Sequence, residues 1–499
     1  MSQLDKMQET IGPKPEISDE QLQTSDVESA SHGVPDATKA PSNPYDGPND
    51  KRNPRNWSGA MKFFHILVPC VLTFQITIAT SSTVPATGAI AKEFNLSRTA
   101  SLLPLTLYTL GLAVGPVIIA PFSEVFGRKP VYVLTSSCLM AFLGGASASQ
   151  SYATLLVCRT LAGILGSAGV AIGAGTISDV FDLLHDPAGP ISAVLLILGP
   201  FLGPTLGPLA GAYIMAEHGN NWRWTQYMLL FIGAPIWAMC VLMKETSRKW
   251  ILRNEVGDHQ ITGAKLAGLA TSAIMKPMHM LFTEVVVLSM AIYTAFAYAM
   301  IFSYFASASY ILQTLYAFDF KKVGLSFISV IIGYLLGTII FVLLDKVSIA
   351  QAAKKTPPST PTPEARLLGA LVGSVFLPAG LFWYAWEAHR GGCWEALVAA
   401  GIFVGLGAFL IFLSIITYTV AFYGPTASAS ALAANGILRF TLGAVFPLFT
   451  IQMFQNLGVH WAASLFAFLA LGLLPIPWLL FKFGPALRSR SRLIPEAAS

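Results

Sequence analysis

The chain has 499 residues, of which 54% are hydrophobic and only 11% charged, with a mean hydropathy of +0.61. A soluble globular chain carries roughly 25% Asp, Glu, Lys and Arg, so this composition excludes a soluble enzyme, a disordered scaffold and a coiled coil. The net charge of +5 is too small and too scattered for a nucleic-acid partner. Cys70, Cys138, Cys158, Cys240 and Cys393 form no disulfide framework, since the first four fall inside apolar runs, and no two share metal-ligand spacing.

In chain order, residues 1–60 are polar, rich in Pro, Ser, Asp and Lys, and lack periodicity; a disordered cytosolic tail is expected. No charged-then-apolar leader follows Met1, which leaves targeting to the first apolar run. Apolar runs come at about 63–83, 101–121, 131–149, 153–176, 190–214 and 225–243. After a polar stretch, others come at about 284–306, 323–344, 366–386, 395–418, 429–453 and 459–481. Each is long enough to cross a hydrocarbon core of about 30 Å as a helix, which satisfies its own backbone. The expected fold is an all-α integral membrane protein with twelve transmembrane helices in two pseudo-symmetric halves. The halves are 61–243 and 283–482, joined by a cytosolic central loop over 244–282 and followed by a cytosolic tail over 483–499. A 6+6 division of this kind is how two-half transporters are built.

Orientation follows from Lys and Arg. Sixteen, from Arg128 to Arg492, fall in the segments after runs two, six, eight and twelve, against six in the other loops, so both termini are expected in the cytosol. Trp57, Trp222, Trp224, Trp386, Trp394, Trp461 and Trp478 fall near run ends, as an interfacial belt requires.

Several stretches carry more specific chemistry. Between runs two and three, Ala120-Pro121-Phe122-Ser123-Glu124-Val125-Phe126-Gly127-Arg128-Lys129-Pro130 places an acid at one helix end, a Gly turn, and two bases at the next helix start. Run five holds Gly199-Pro200, Gly203-Pro204 and Gly207-Pro208, followed by Gly211. The pairs recur every four residues and share a helix face; each Pro removes a backbone hydrogen bond and each Gly admits a neighbouring helix. A bent, closely packed helix at a domain seam is expected. Run four places Arg159 inside the membrane, where such a residue faces a cavity or partner, or snorkels to the surface. Run eleven begins with small residues and puts Asn435 and Arg439 four apart on one face. That face is assigned to the substrate cavity, together with Tyr293 and Tyr298 of run seven. Asn95-Leu96-Ser97 is a glycosylation candidate in the first outer loop.

The 120–130 loop resembles the signature loop of the major facilitator superfamily, with Glu124 where that family usually has Asp and Ala120 where it usually has Gly. The resemblance implies a cytoplasmic latch made by Glu124, Gly127, Arg128 and Lys129. The Gly-Pro repeat looks like the motif of drug/proton antiporters in that superfamily, and the Arg159-to-Gly163 pattern is similar to its fourth-helix motif, which implies a role for Arg159 in proton coupling. Arg52-Asn53-Pro54-Arg55-Asn56-Trp57, Pro363-Glu364-Ala365-Arg366-Leu367 and Phe446-Pro447-Leu448-Phe449 resemble fungal twelve-span multidrug, polyamine and mycotoxin exporters. That resemblance implies export by alternating access in exchange for protons, with no cofactor beyond the proton gradient. It also implies a monomer in the lipid bilayer acting on a small organic substrate, in the cell membrane or alternatively the vacuolar membrane.

Two departures bear on the substrate. Ala306 and Ala421 stand where relatives commonly carry Glu and Asp, and no Asp or Glu lies deep in any run. Carboxylates would neutralise a cationic substrate, so a neutral or anionic amphipathic compound is expected rather than a polyamine. The carrier of the proton is left to Glu124, Asp179 or another group near the cytosolic rim. A primary pump lacks its Gly-x4-Gly-Lys-Ser/Thr loop, and the eight histidines are too scattered for an enzyme site. A proton-coupled importer and a transport-inactive sensor on the same fold stay open as alternatives.

Overall fold

The computed structural model describes residues 45, 47, 50–181, 188–256, 263–354 and 362–489. Most of the predicted N-terminal tail and the last residues of the C-terminal tail lie outside these. Among the described residues there are twelve helices long and apolar enough to cross a membrane, and no strand. They are α1 Gly59–Ser81, α2 Ala100–Phe126, α3 Arg128–Ser147, α4 Tyr152–Val180, α5 Val194–Glu217 and α6 Trp224–Leu242. After these come α7 Val285–Leu315, α8 Phe320–Ala353, α9 Pro363–His389, α10 Trp394–Gly424, α11 Ala427–Leu457 and α12 Val459–Arg488. Most extend beyond the apolar runs that mark them, because a helix keeps its backbone bonded after it leaves the hydrocarbon and a tilted helix needs extra length.

Backbone chemistry sets the breaks. Gly127 adopts φ +91° between α2 and α3, and Gly424 adopts φ +64° where one helical run divides into α10 and α11. Both values lie where a Cβ is disfavoured. Elsewhere side chains cap the starts: Ser151 accepts from the Thr154 backbone N–H (3.2 Å) and Asp319 from that of Lys322 (3.0 Å).

In the first group of helices α1 packs on α4 and α5, α2 on α4, and α3 on α4 and α6. In the second, α7, α8 and α9 pack on the α10–α11 run, and α9 also on α12. The groups meet where α2 lies against the α10–α11 run and α5 against α8. Large apolar side chains such as Phe231, Leu242 and Val285 are exposed around the outside. For a multi-pass membrane protein this is the lipid-facing surface, inverted relative to a soluble fold.

The 244–282 segment differs from the polar loop that composition suggests. It contains two helices, Arg248–Val256 and Gly263–Thr283. The second is amphipathic, with Pro277, Met280 and Leu281 buried, and it packs against α2 and the α10–α11 run. A low mean hydropathy hides a single apolar stripe at helical spacing.

Candidate functional site

Helix α5 organises the seam between the two groups. Its glycines face α1: a methyl at Gly203 would sit 2.6 Å from the Ile78 backbone nitrogen, and one at Gly207 2.8 Å from the Ile78 carbonyl oxygen. Gly199 and Gly211 meet the same helix and the turn after it, so the repeat is the contact surface for α1. The prolines supply carbonyls. Pro204 has no N–H to offer Pro200, and Pro208 none to offer Pro204. The freed Pro204 carbonyl accepts from the Ser81 hydroxyl of α1 (2.7 Å). The freed Pro200 carbonyl accepts from the Tyr298 hydroxyl of α7 (3.3 Å), across the seam.

The opposite face of α5 meets the second group through residues that sequence reasoning missed. Phe201 is buried against Tyr298, Tyr334, Phe409 and Phe412, with ring centroids 4.8 to 5.6 Å apart. One turn on, the Thr205 hydroxyl donates to the Tyr334 hydroxyl (3.2 Å). Phe201 and Thr205 lie two residues from glycines of the repeat, hence about 200° round the helix. A lone hydroxyl on an otherwise apolar face was the available signal.

Helices α7 and α11 run beside each other in parallel register. The Asn435 side-chain amide donates to the Thr294 hydroxyl (2.6 Å), and one turn further on both helices Arg439 lies over the Tyr298 ring at 5.2 Å. Phe412 and Phe440 complete an aromatic box, with the guanidinium 4.6 and 4.4 Å from their ring centres. Arg439 is 6% exposed, and its Nε and Nη1 have no hydrogen-bond partner; neither does the Asn435 carbonyl oxygen. Tyr293 is fully buried. Sequence reasoning placed Tyr293, Tyr298, Asn435 and Arg439 together, and the structure does bring Tyr298, Asn435 and Arg439 to one contact region between α7 and α11.

None of the four lines the cavity of about 260 Å³ between the groups, which lies beyond the last Gly-Pro pair. Ala306 lines it, with Arg98, Ser101, Pro208, Gln313 and Ile451, and no carboxylate among the described residues does. Ala421, by contrast, is exposed. Further bonds close the seam at that end. The Gln452 side chain donates to the Thr99 hydroxyl (2.7 Å), the Thr106 hydroxyl donates to the Ala444 carbonyl (3.2 Å), and Lys321 pairs with Glu217 (2.5 Å).

Arg159 does not snorkel. It is fully buried within the first group, where its guanidinium donates to the carbonyls of Ala79 (2.6 Å) and Pro104 (3.3 Å) and to the Gln226 side chain (3.5 Å). It also lies 4.3 Å from the centre of the Tyr108 ring. Its acceptors are neutral, so it acts as a joint between α1, α2, α4 and α6.

The latch region departs from expectation in its acid. Glu124 is exposed and makes no ion pair among the described residues. Arg128 instead pairs with Asp179 at the end of α4 (3.1 Å) and donates to the Ser123 hydroxyl (3.2 Å). Glu245, just past α6, accepts the backbone N–H groups of Arg128 (2.8 Å) and Lys129 (3.0 Å), capping α3 with a carboxylate at its positive end. Arg253 adds a bond to the Val125 carbonyl. The second group repeats the theme at the same end of the bundle: Arg366 pairs with Asp345, and Arg488 with the buried Glu364 (3.5 Å). Both networks tie the start of one helix to the end of another: Asp179 and Glu245 lie 51 and 117 residues from Arg128, and Asp345 lies 21 from Arg366.

A family model described as Major Facilitator Superfamily matches residues 70–447. The chain belongs to this superfamily. Curated relatives within the superfamily include "Polyamine transporter 4" of Saccharomyces cerevisiae, 33% identical over 90% of this chain and 72% of that protein. "MFS-type efflux pump MFS2" of Trichophyton rubrum is 34% identical over 90% and 77%, and "MFS-type transporter traF" of Penicillium crustosum 33% over 90% and 92%. Among solved superfamily members, the human organic anion transporter MFSD10 (TETRAN) aligns with TM-score 0.56 and 15% identity over 84% of this chain and 99% of that one, a likeness of fold alone. This superfamily member is therefore a secondary transporter rather than an enzyme. At the end of the bundle away from the Arg128 network, Asn95 is exposed with φ +52°, ending the helix Thr87–Phe94.

Proposed function

We propose that the protein exports small amphipathic organic compounds, neutral or anionic, such as drugs, toxins or a secondary metabolite. It does so by alternating access of a site between α1–α6 and α7–α12, in exchange for protons. The N- and C-termini and the Arg128 and Arg366 networks lie on the cytosolic side of the cell membrane, and the transporter works as a monomer. One observation carries the reading. The seam holds an aromatic box with a buried arginine, and the one buried carboxylate among the described residues, Glu364, lies at the start of α9. A carrier of polycations would need acids where this seam has Phe201, Tyr298 and Arg439. The bonds across the seam at Pro200–Tyr298 and Thr205–Tyr334 are those that rocking of the two groups would break and remake. Asp179, half-buried beside Arg128, is the carboxylate best placed to exchange a proton at the cytosolic rim.

Proteoliposomes containing the full chain test this directly. An amphipathic neutral or anionic dye should be moved faster with an imposed proton gradient than after its collapse by a protonophore. Saturable transport of spermidine, or dye transport indifferent to the gradient, would overturn the corresponding part of the proposal.

A further inference from the structure

We infer that Arg439 is the docking point for a single acidic group carried by the transported molecule. The inference rests on the exporter reading above and specifies the substrate class of that site. Three observations lead to it. First, the guanidinium is buried, yet its Nε and Nη1 find no acceptor. The faces of Tyr298, Phe412 and Phe440 attract a cation but accept no conventional hydrogen bond, and they exclude water. Second, the same chain satisfies its other intramembrane guanidinium: Arg159 has three oxygen acceptors at 2.6 to 3.5 Å. Third, the Asn435 carbonyl oxygen faces the same side of α11 one turn away, about 6 Å along the axis. It too is buried and unbonded, its amide nitrogen being used by Thr294.

These groups ask for a complementary ligand. An oxyanion, most simply a carboxylate, would accept from an edge of the guanidinium that joins one of these unbonded donors, Nε or Nη1, to Nη2, the fork geometry that arginine offers. A hydroxyl or N–H about one turn away would donate to Asn435. A flat apolar body would lie among Phe201, Tyr298, Phe412 and Phe440; Phe201 and Phe440 already meet Tyr298 edge-to-face, and Phe412 meets Phe201 at a tilt. A cationic head would meet the guanidinium's own charge. The site thus selects an amphipathic monoanion over its neutral and cationic analogues.

Matched probes that differ only in head group read this out: 2-naphthylacetate, 2-naphthylacetamide and 2-(2-naphthyl)ethylammonium. Their binding to the full-length protein in lipid nanodiscs at pH 7 is measured by titration calorimetry. The acetate should bind about tenfold more tightly than the acetamide, roughly one charge-assisted hydrogen bond, and the ammonium most weakly. Arg439→Gln should bring the acetate to within about twofold of the acetamide, and Arg439→Lys should keep part of the preference. Asn435→Asp, which sets a negative charge one turn away, should cost the acetate about tenfold on its own and decides the matter if Arg439→Gln does not fold. Equal binding of acetate and acetamide to the unaltered protein, or a preference that survives Arg439→Gln, would overturn the assignment. If the acetamide is still exported by proteoliposomes in that case, the exporter reading stands and only the acid site falls. If no probe binds and none is moved, both fall.

Discussion

Two arginines are buried within the spans among the described residues, one in each group of six helices, and they are held in different ways. Arg159 reaches three oxygens on α1, α2 and α6, and its removal would take the charged donor away from the carbonyls of Ala79 and Pro104. Arg439 has rings around it and no acceptor for two of its nitrogens. Burying an unpartnered charge is costly, whereas a buried charge with good acceptors can hold its surroundings together. The contrast separates a guanidinium that belongs to the architecture from one whose chemistry is completed only by something that comes and goes. It also places the two roles on opposite sides of the seam: a rigid joint in the first group, a buried and unmet hydrogen-bonding need in the second.

The same substitution at the two positions gives the largest expected difference. Arg159→Met should lower stability by about 2 kcal/mol, since several charge-assisted bonds joining four helices are lost in a dry interior. Arg439→Met should leave stability level or raise it by about 1 kcal/mol, because an apolar side chain of similar length replaces an unpaired charge. Thermal melts of the purified full-length variants in one detergent compare them directly. Equal losses at both positions would break the comparison and point to an acceptor for Arg439 that holds it in the resting protein.

A third arginine sharpens it from the membrane surface, where an acid is present. Arg128 pairs with Asp179, while Glu124 makes no ion pair among the described residues. Asp179→Asn should cost about 1–2 kcal/mol, less than the loss at Arg159 because the pair is partly solvated. Glu124→Gln should stay within about 0.5 kcal/mol of the parent. The same melts check both. A larger effect at Glu124 than at Asp179 would restore the latch in the form the loop's spacing suggests.

How much of this was legible in the sequence varies with the range of the interaction. Twelve spans could be read because hydropathy over some 20 residues is a local property. The Gly-Pro face of α5 could be read because a four-residue repeat fixes its own geometry on a helix. Asn435 and Arg439 could be placed on one face because four residues make about one turn, whereas Tyr298 was singled out only as an aromatic of the seventh run. The partner of Arg128 was not legible: Asp179 and Glu245 are 51 and 117 residues away, and Glu124, the acid nearest in sequence, points outward from the last turn of α2. Phe201 was missed because a phenylalanine in an apolar run says nothing about its neighbours. The helix Gly263–Thr283 was hidden by averaging, since its polar face dilutes the stripe that packs on α2.

A small effect that depends on pH comes from a fourth arginine, at the opposite end of the bundle from Arg128. Arg223 donates twice to Glu93 (2.8 and 3.0 Å), and the Trp222 ring N–H donates to the same carboxylate (2.7 Å). The Glu93 carboxyl is held below the usual glutamate range, chiefly by the Arg223 hydrogen bonds and also by Trp222, with partial burial working the other way. A carboxylate whose folded value is depressed adds stability that is full above the unfolded value of about 4.3 and is lost as pH falls through the folded one. The melting gap between the parent and Glu93→Gln should therefore be open at pH 7 and close below pH of about 4. Its size is limited to about 0.2–1 kcal/mol because the pair is solvent-accessible. Arg159 and Arg439 have no acid among their described contacts, so the gaps produced by their Met variants should stay flat over the same range. Arginine itself does not titrate there. A gap at Arg159 or Arg439 that narrowed with acid would mean that a carboxylate reaches into the spans after all, and the argument for an anionic substrate would lose its premise.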